Sequence, residues 1–533
     1  MVSIKRYDKT RGVKAMDEIA KKHRALNIHT NLWHCLAIFL FIFSFYYFFT
    51  EGLPRFWYDD IYWVEMAEKT SLSVMVKDIF NFTSGDYLMG RPVLEIYMKI
   101  CSFLFDDDPH YYRIFKIIIF SMSLVMMFYM AVRQGGDKLI TVSGLFAFAT
   151  FPSVMIVNTW INESAAFELF FKISSFVIFF ILISISEEKK KLSTQSIMLG
   201  LGSLLVLLLI FADKSKATAK IIPFIFLTYL LLIRYKGTFL YATILISILA
   251  VFPYAAAGSS VHQGFYLNLF KTFLSQTWLL FVFVCLIGVL VKDKRYLRNR
   301  YLLFSFLWLI YEILFYVAYP SDEMRYLFSS LAAAAVFLSI LFSNILSALT
   351  NESFKKIAKA GFVIVISFML ASNAYWSYNF RGSFAGYFVL VDKKMKFINQ
   401  NFKNALCIYG SSTLLYYARG TSNLYVNVNP NSSGGKWYDN IHSIKPHEIY
   451  SIGPQGLRIL NPEKYERIIA LDESLLGRTG IRPIMVFDSI VPNSLYDLFQ
   501  KKMNFKIYPV NFYNISLRGY TDYPHYSGIY FMK

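Results

Sequence analysis

Runs of about twenty apolar residues recur along this chain, and each is long enough to cross a bilayer. The chain has 533 residues, of which 56% are hydrophobic and 18% aromatic. No single water-soluble core could bury that many apolar runs, so a polytopic α-helical membrane protein is expected. The apolar windows read as roughly eleven spans, near 32–50, 114–132, 139–157, 165–186, 197–212, 219–233, 238–257, 277–291, 301–319, 326–346 and 360–376.

Lys and Arg resist translocation, and their distribution sets orientation. They crowd the N-terminus and alternate loops, and are scarce in the short loops between, where Lys214, Lys216, Lys220, Lys271 and Arg325 stand almost alone. This places 1–31 in the cytoplasm as a basic N-terminus and 32–376 as the transmembrane core. Residues 377–533 fall on the outer side. There Gly, Pro, Asn and Ser rise, and short β-like runs (Ala405–Tyr409, Leu424–Val428, Pro483–Phe487, Lys506–Val510, Ile529–Met532) alternate with helix-like ones (Thr413–Ala418, Ser494–Met503), predicting a mixed α/β domain. Leu32–Phe49 follows a long polar lead and lacks a small-residue cleavage site, so it reads as a retained anchor. The formal charge of +19 is accounted for mainly by topology, and no nucleic-acid partner is expected. The four cysteines, Cys35, Cys101, Cys285 and Cys407, lack ligand spacing.

The outer loop 51–113 is too long for a plain connection and carries eleven acidic residues against six basic ones. Ile61, Val64, Leu72, Met75, Val76 and Ile79 recur at helical spacing, and a further helix is expected from Pro92, a residue suited to a first helical turn. Asp59 and Asp60 sit near the loop's start, in Phe56-Trp57-Tyr58-Asp59-Asp60-Ile61-Tyr62-Trp63. They allow two readings. The aromatics form an interfacial belt around an aqueous helix end, or crowding and mutual repulsion raise one carboxyl and suit it to general-base work.

Arg91, in Gly90-Arg91-Pro92-Val93, combines a guanidinium with free backbone N–H groups at a helix mouth, a phosphate-binding combination, although an interfacial Arg also snorkels to lipid headgroups. Lys214 and Lys216, in Asp213-Lys214-Ser215-Lys216, and Arg325, in Pro320-Ser321-Asp322-Glu323-Met324-Arg325-Tyr326, are further candidates for a lipid phosphate or ordinary loop charges. Glu163, in Asn158-Thr159-Trp160-Ile161-Asn162-Glu163-Ser164, is either a carboxylate facing the same site or part of a polar turn. Glu168 and Lys172 lie one turn apart inside a span, where they need each other or a wet cavity. No metal-ligand spacing, Walker loop or Gly-x-Ser-x-Gly is present, so no cofactor is expected and a divalent metal has no motif behind it.

An aspartate-bearing first outer loop, a polytopic core, a basic residue in a later outer loop and an outer C-terminal domain together resemble the GT-C class of membrane glycosyltransferases. More narrowly, Asp59-Asp60 followed by Gly90-Arg91-Pro92-Val93 resembles the serotype-converting glucosyltransferases that decorate bacterial O-antigen, the Gtr group. The resemblance implies a polyprenyl-phosphate-linked sugar as donor and a hydroxyl of a surface glycan as acceptor, at the outer face of a bacterial inner membrane. It implies Asp59 or Asp60 as catalytic base and Arg91 and Arg325 as donor-phosphate ligands; from their own positions Lys214 and Lys216 are added as candidate phosphate ligands and Tyr58, Glu163 and Asp322 as candidates on the acceptor side. A glycan polymerase, or a lipid-linked transporter or flippase, remains an alternative.

Overall fold

The computed structural model describes residues 32–51, 53, 60, 63–64, 67, 70–80, 91–106, 108–187, 192–251, 267–291, 297–317 and 324–401, and nine strands between 406 and 532 as backbone. Asp59, Tyr58 and Asp322 lie outside the described residues, as do the helix-like runs 413–418 and 494–503.

The helices in chain order are α1 (Leu32–Thr50), α2 (Leu72–Phe80), α3 (Pro92–Phe105), α4 (Pro109–Arg133), α5 (Lys138–Thr150), α6 (Pro152–Thr159), α7 (Ala165–Glu187), α8 (Leu192–Ser215), α9 (Ile222–Leu232), α10 (Thr238–Val251), α11 (Leu267–Leu290), α12 (Arg300–Val317), α13 (Phe328–Ala348) and α14 (Glu352–Asn401). Among the described residues, seven helices are long and apolar enough to cross a membrane, or eight if α5 and α6 form one bent span. Within the described residues the expected eleven windows fall on helices, but those at 219–233 and 238–257 meet shorter apolar ones, Thr218–Leu232 and Thr238–Val251, and that at 301–319 meets α12. An apolar window registers composition and does not require a straight, full-length helix, which is how the two counts part.

The window at 139–157 shows this directly. Pro152 has no N–H and disfavours helical geometry in Phe151, which adopts φ −59° and ψ 142°. The helix stops at Thr150, and α6 restarts with Pro152 in its first turn, bent by 63°. Backbone carbonyls freed at such a break need partners in a bilayer. Tyr46 from α1 donates its hydroxyl to Ala149 O at 2.5 Å.

Helix α13 is the central element, with 72% of its apolar window buried. Association of helices in lipid depends on close packing more than on apolar burial. Small residues supply it: a Cβ on Gly144 of α5 would come within 2.5 Å of Ser339 Oγ on α13. On the far side of α7, Phe176, Phe179, Phe226, Phe304 and Trp308 pack ring against ring between α7, α9 and α12.

The segment between α1 and α4 builds a small core of its own, in which Trp63, Val64, Met75, Leu94, Tyr97 and Cys101 pack with Tyr112, Ile161 and Phe167. Met75 and Ile79 are buried as the spacing predicts, whereas Leu72 and Val76 are exposed. Trp63 is 3% exposed, so it belongs to this core and not to a lipid-facing belt.

Helix α14 runs through the expected boundary at 377 as far as Asn401. Strands β1 (Leu406–Tyr409), β2 (Leu424–Asn429), β3 (Tyr450–Gly453), β4 (Gly456–Arg458), β5 (Pro483–Phe487), β6 (Phe505–Pro509), β7 (Tyr513–Ile515), β8 (Tyr523–His525) and β9 (Gly528–Met532) follow. Seven form one mixed sheet in the order β4-β3-β2-β1-β5-β9-β6, parallel at β3-β2-β1-β5 and antiparallel elsewhere, and β7 pairs with β8.

Candidate active site

The site is organised around the end of half-helix α6. The last carbonyls of a helix have no internal partners and carry partial negative charge. Two buried cations from α4 meet them. Lys116 Nζ donates to Val157 O at 2.6 Å and also to Trp160 O, while Arg113 Nε donates to Thr159 O at 3.1 Å and its Nη1 to Leu53 O. Both side chains are fully buried. Together they fix the turn from Trp160 to Ser164 that leads into α7.

That turn presents two groups. Its Asn162 N–H donates to Asp60 Oδ1 at 2.8 Å, tying the Asp59-Asp60 segment to the α6–α7 turn. Asp60 is only 2% exposed. Glu163 stands at the mouth of α7, where free backbone N–H groups favour a carboxylate, and it accepts from Ala165 N at 3.2 Å.

Two cations converge on Glu163. Helix α8 ends at Ser215 and Lys216 is extended (φ −160°, ψ 134°), from where its Nζ reaches Glu163 Oε1 at 3.0 Å. Arg325, in the 3₁₀ turn Met324–Leu327, places Nη1 3.6 Å from Glu163 Oε2, with its guanidinium 4.7 Å above the Trp160 ring. The Tyr326 ring lies between the two cations, 5.0 Å from Lys216 Nζ and 5.4 Å from the Arg325 guanidinium carbon. Burial pushes the Glu163 carboxyl up, but Lys216, Arg325 and Arg91 outweigh it and hold the group well below the usual carboxylate range. Arg91, flanking α3, is therefore within electrostatic reach of the same carboxylate.

The structure thus brings Asp60, Arg91, Glu163, Lys216 and Arg325 into one neighbourhood. Lys214 points elsewhere, within reach of Asp78 and Asp213. The sequence reading missed Arg113 and Lys116. Their signal was available, since Lys116 is a cation inside an apolar window and such residues carry function or a structural load by default. Among the described residues, four cations (Arg91, Arg113, Lys216, Arg325) gather with the buried Lys116 around two carboxylates (Asp60, Glu163). Such an excess of positive charge suits an anionic ligand. Among the described residues no three His, Cys, Asp or Glu side chains are grouped as a metal site requires.

A cavity of about 450 Å³ lies between α6, α11 and α14, lined by Met324, the residue before Arg325, and by Ser275, Gln276, Trp278, Asn373 and Trp376 among others. Its hydrogen-bonding groups are uncharged. Gln276 is held by Ser153 at 2.9 Å, and Asn373 by Thr150 at 3.3 Å, so the polar floor is anchored to the α5–α6 break.

Next to Arg91, Glu95 is buried on α3, and burial together with the neighbouring Asp78 charge pushes its carboxyl up to about 7. A raised carboxyl binds its proton more tightly in the folded state, so its contribution is favourable at low pH and is lost as pH rises from the ordinary carboxylate range towards 7. Amide exchange in α3, after correction for its intrinsic pH dependence, is expected to accelerate between pH 5 and pH 8, and Glu95→Gln to remove that acceleration. Identical corrected rates at both pH values in the wild type would refute this.

No family model and no curated protein sequence matches this chain. Solved structures do match it. The chain shares its fold with ArnT from Cupriavidus metallidurans bound to undecaprenyl phosphate (TM-score 0.53, 11% identity, covering 93% of this chain and 97% of that one). The apo state of the same protein gives a TM-score of 0.54 at 12% identity over the same shares of each chain. At such identity the likeness is one of fold, and it extends over nearly the whole length of both chains.

Proposed function

We propose that this protein is a GT-C-class membrane glycosyltransferase that moves a sugar, glucose in the narrower Gtr reading, from a polyprenyl-phosphate donor to a hydroxyl of a surface glycan such as O-antigen. The observation that carries the reading is the convergence of Lys216 and Arg325 on one buried carboxylate, with Arg91 within reach. A neighbour of the same fold crystallised with undecaprenyl phosphate supports a lipid phosphate as the anion. The basic N-terminus and the sparse outer cations support a multi-pass protein of a bacterial inner membrane, with the N-terminus inside and the site and C-terminal domain outside.

In this mechanism Arg325, Lys216 and Arg91 hold the donor phosphate, and Glu163 keeps the first two aimed while the site is empty. Asp59 accepts the proton of the acceptor hydroxyl. The acceptor oxygen forms its bond to the anomeric carbon as that carbon's bond to the phosphate oxygen breaks, and the electron pair leaves with the lipid phosphate. One displacement inverts the anomeric centre. Asp60, through Asn162, fixes the segment that carries Asp59, with Tyr58 and Asp322 on the acceptor side. The polar cavity beside Met324 offers hydroxyl-binding groups without charge, as a sugar needs. The chemistry as written uses no cofactor.

Mass spectrometry of the surface glycan from cells with and without the gene tests the reading. Loss of one sugar substituent is expected, with chain length unchanged. A shortened glycan would favour the polymerase alternative, and an unaltered one would contradict sugar transfer to it.

A further inference from the structure

Glu163, Lys216 and Arg325 sit on three separate segments, and each segment returns to a common point deeper in the protein. Glu168 follows Glu163 in α7, Thr218 follows Lys216, and Ser329 follows Arg325 at the start of α13. All three meet around Lys172. Its Nζ lies 2.8 Å from Glu168 Oε1, 2.5 Å from Glu312 Oε1 of α12 and 2.7 Å from Ser329 Oγ. Thr218 Oγ1 donates to Glu168 Oε1, and Ser329 Oγ and Trp308 Nε1 donate to Glu312 Oε1 at 2.8 and 3.1 Å. Lys172 and Glu312 are 0% exposed and Glu168 1%.

Stability alone does not account for this arrangement. One ammonium faces two carboxyl groups, Glu312 Oε2 has no hydrogen-bond partner among the described residues, and well-packed neutral side chains often serve as well as a buried ion pair. Short charged hydrogen bonds do fix relative position, because they are strong in a medium of low dielectric and weaken steeply when donor and acceptor are misaligned.

We propose that Lys172, bridging Glu168 and Glu312, is a positioning residue for the anion clamp. It sets the register of the segments bearing Glu163, Lys216 and Arg325, so that the two cations meet one phosphate. Lys172 touches no substrate in this role, which depends on the donor-phosphate binding proposed above.

Lys172→Met alone strands two buried carboxylates and is expected to fold poorly. The decisive variant is therefore the near-isosteric neutral triple, Glu168→Gln, Lys172→Met and Glu312→Gln, made in the full chain and purified in detergent. Undecaprenyl phosphate affinity and thermal midpoint are measured together. The triple variant is expected to melt within a few degrees of wild type, while its Kd rises about ten- to a hundredfold, the scale of a small misplacement of binding groups. Lys172→Arg should fall between the two. A wild-type Kd in the folded triple variant, whether or not its midpoint drops, would overturn the proposal and leave the cluster a purely structural one. A wild-type protein that binds no undecaprenyl phosphate would contradict the donor reading itself, and this role with it.

Discussion

Asp59→Asn is expected to lower sugar transfer by about two to four orders of magnitude, the usual cost of removing a general base. Asn keeps the size of the side chain and most of its hydrogen bonding but cannot take a proton. The variant should therefore insert, accumulate and bind undecaprenyl phosphate as the wild type does, because the clamp of Arg91, Lys216 and Arg325 is intact. Asp60→Asn should be milder, since an Asn side-chain oxygen can still accept from Asn162 N as Asp60 does at 2.8 Å. Asp60→Ala removes that acceptor in a site only 2% exposed and should cost more than Asp60→Asn. If both Asn variants, expressed at wild-type levels, transfer sugar normally, neither carboxylate of this pair is the base and the base lies elsewhere.

The second large effect is expected at the clamp. Arg325→Gln removes a charge-assisted contact worth about 1.5–3 kcal/mol, or roughly ten- to a hundredfold in donor affinity. The variant also leaves Glu163 facing Lys216 alone among its two close cations, since Arg325 sits 3.6 Å from the second carboxylate oxygen. Arg325→Lys should retain part of the affinity, because the charge survives and the planar fork does not. Lys216→Gln should resemble Arg325→Gln, and Lys214→Gln should cost less, since Lys214 points toward Asp78 and Asp213. Donor titration of each variant decides this. Unchanged affinity in both Arg325→Gln and Lys216→Gln would return these side chains to the role of interfacial charges.

Much of the candidate site was legible because Lys and Arg are so rare in the short loops expected on the outer side. Lys216 and Arg325 stood out as cations in loops otherwise poor in Lys and Arg, and Glu163 as a carboxylate between two apolar windows, without any knowledge that they would meet. That meeting was not legible, since the two contacts join loops far apart in sequence. Glu168 and Lys172 were readable as a one-turn pair, and they do pair at 2.8 Å. Glu312 was not, because it lies in another apolar window and joins Lys172 only once α7 and α12 pack. The break at Pro152 was missed for a simpler reason. Hydropathy sums over Thr150-Phe151-Pro152 without registering the lost N–H, yet the break creates the half-helix end that Arg113 and Lys116 hold. The C-terminal strands β1, β2, β5, β6 and β9 fall on the β-like runs, where short apolar stretches bounded by turn residues are informative. The charges of the site also bear on the transport alternative. Glu168 lies about one turn, roughly 5 Å, and Lys172 about two turns, roughly 10 Å, from the end of α7 that adjoins Glu163. Charges gathered at and just beneath one face fit transfer there better than a path through the membrane.

The most direct measurement follows the lipid itself. Purified protein is reconstituted with undecaprenyl-phosphate glucose and an O-antigen acceptor, and the lipids are separated over time. Free undecaprenyl phosphate should appear only when the acceptor is present, with an equal amount of sugar joined to the glycan in inverted configuration and none taken from a nucleotide sugar. A lipid donor left intact by folded, donor-bound protein in the presence of its acceptor, across a panel of lipid-linked sugars, would contradict the account.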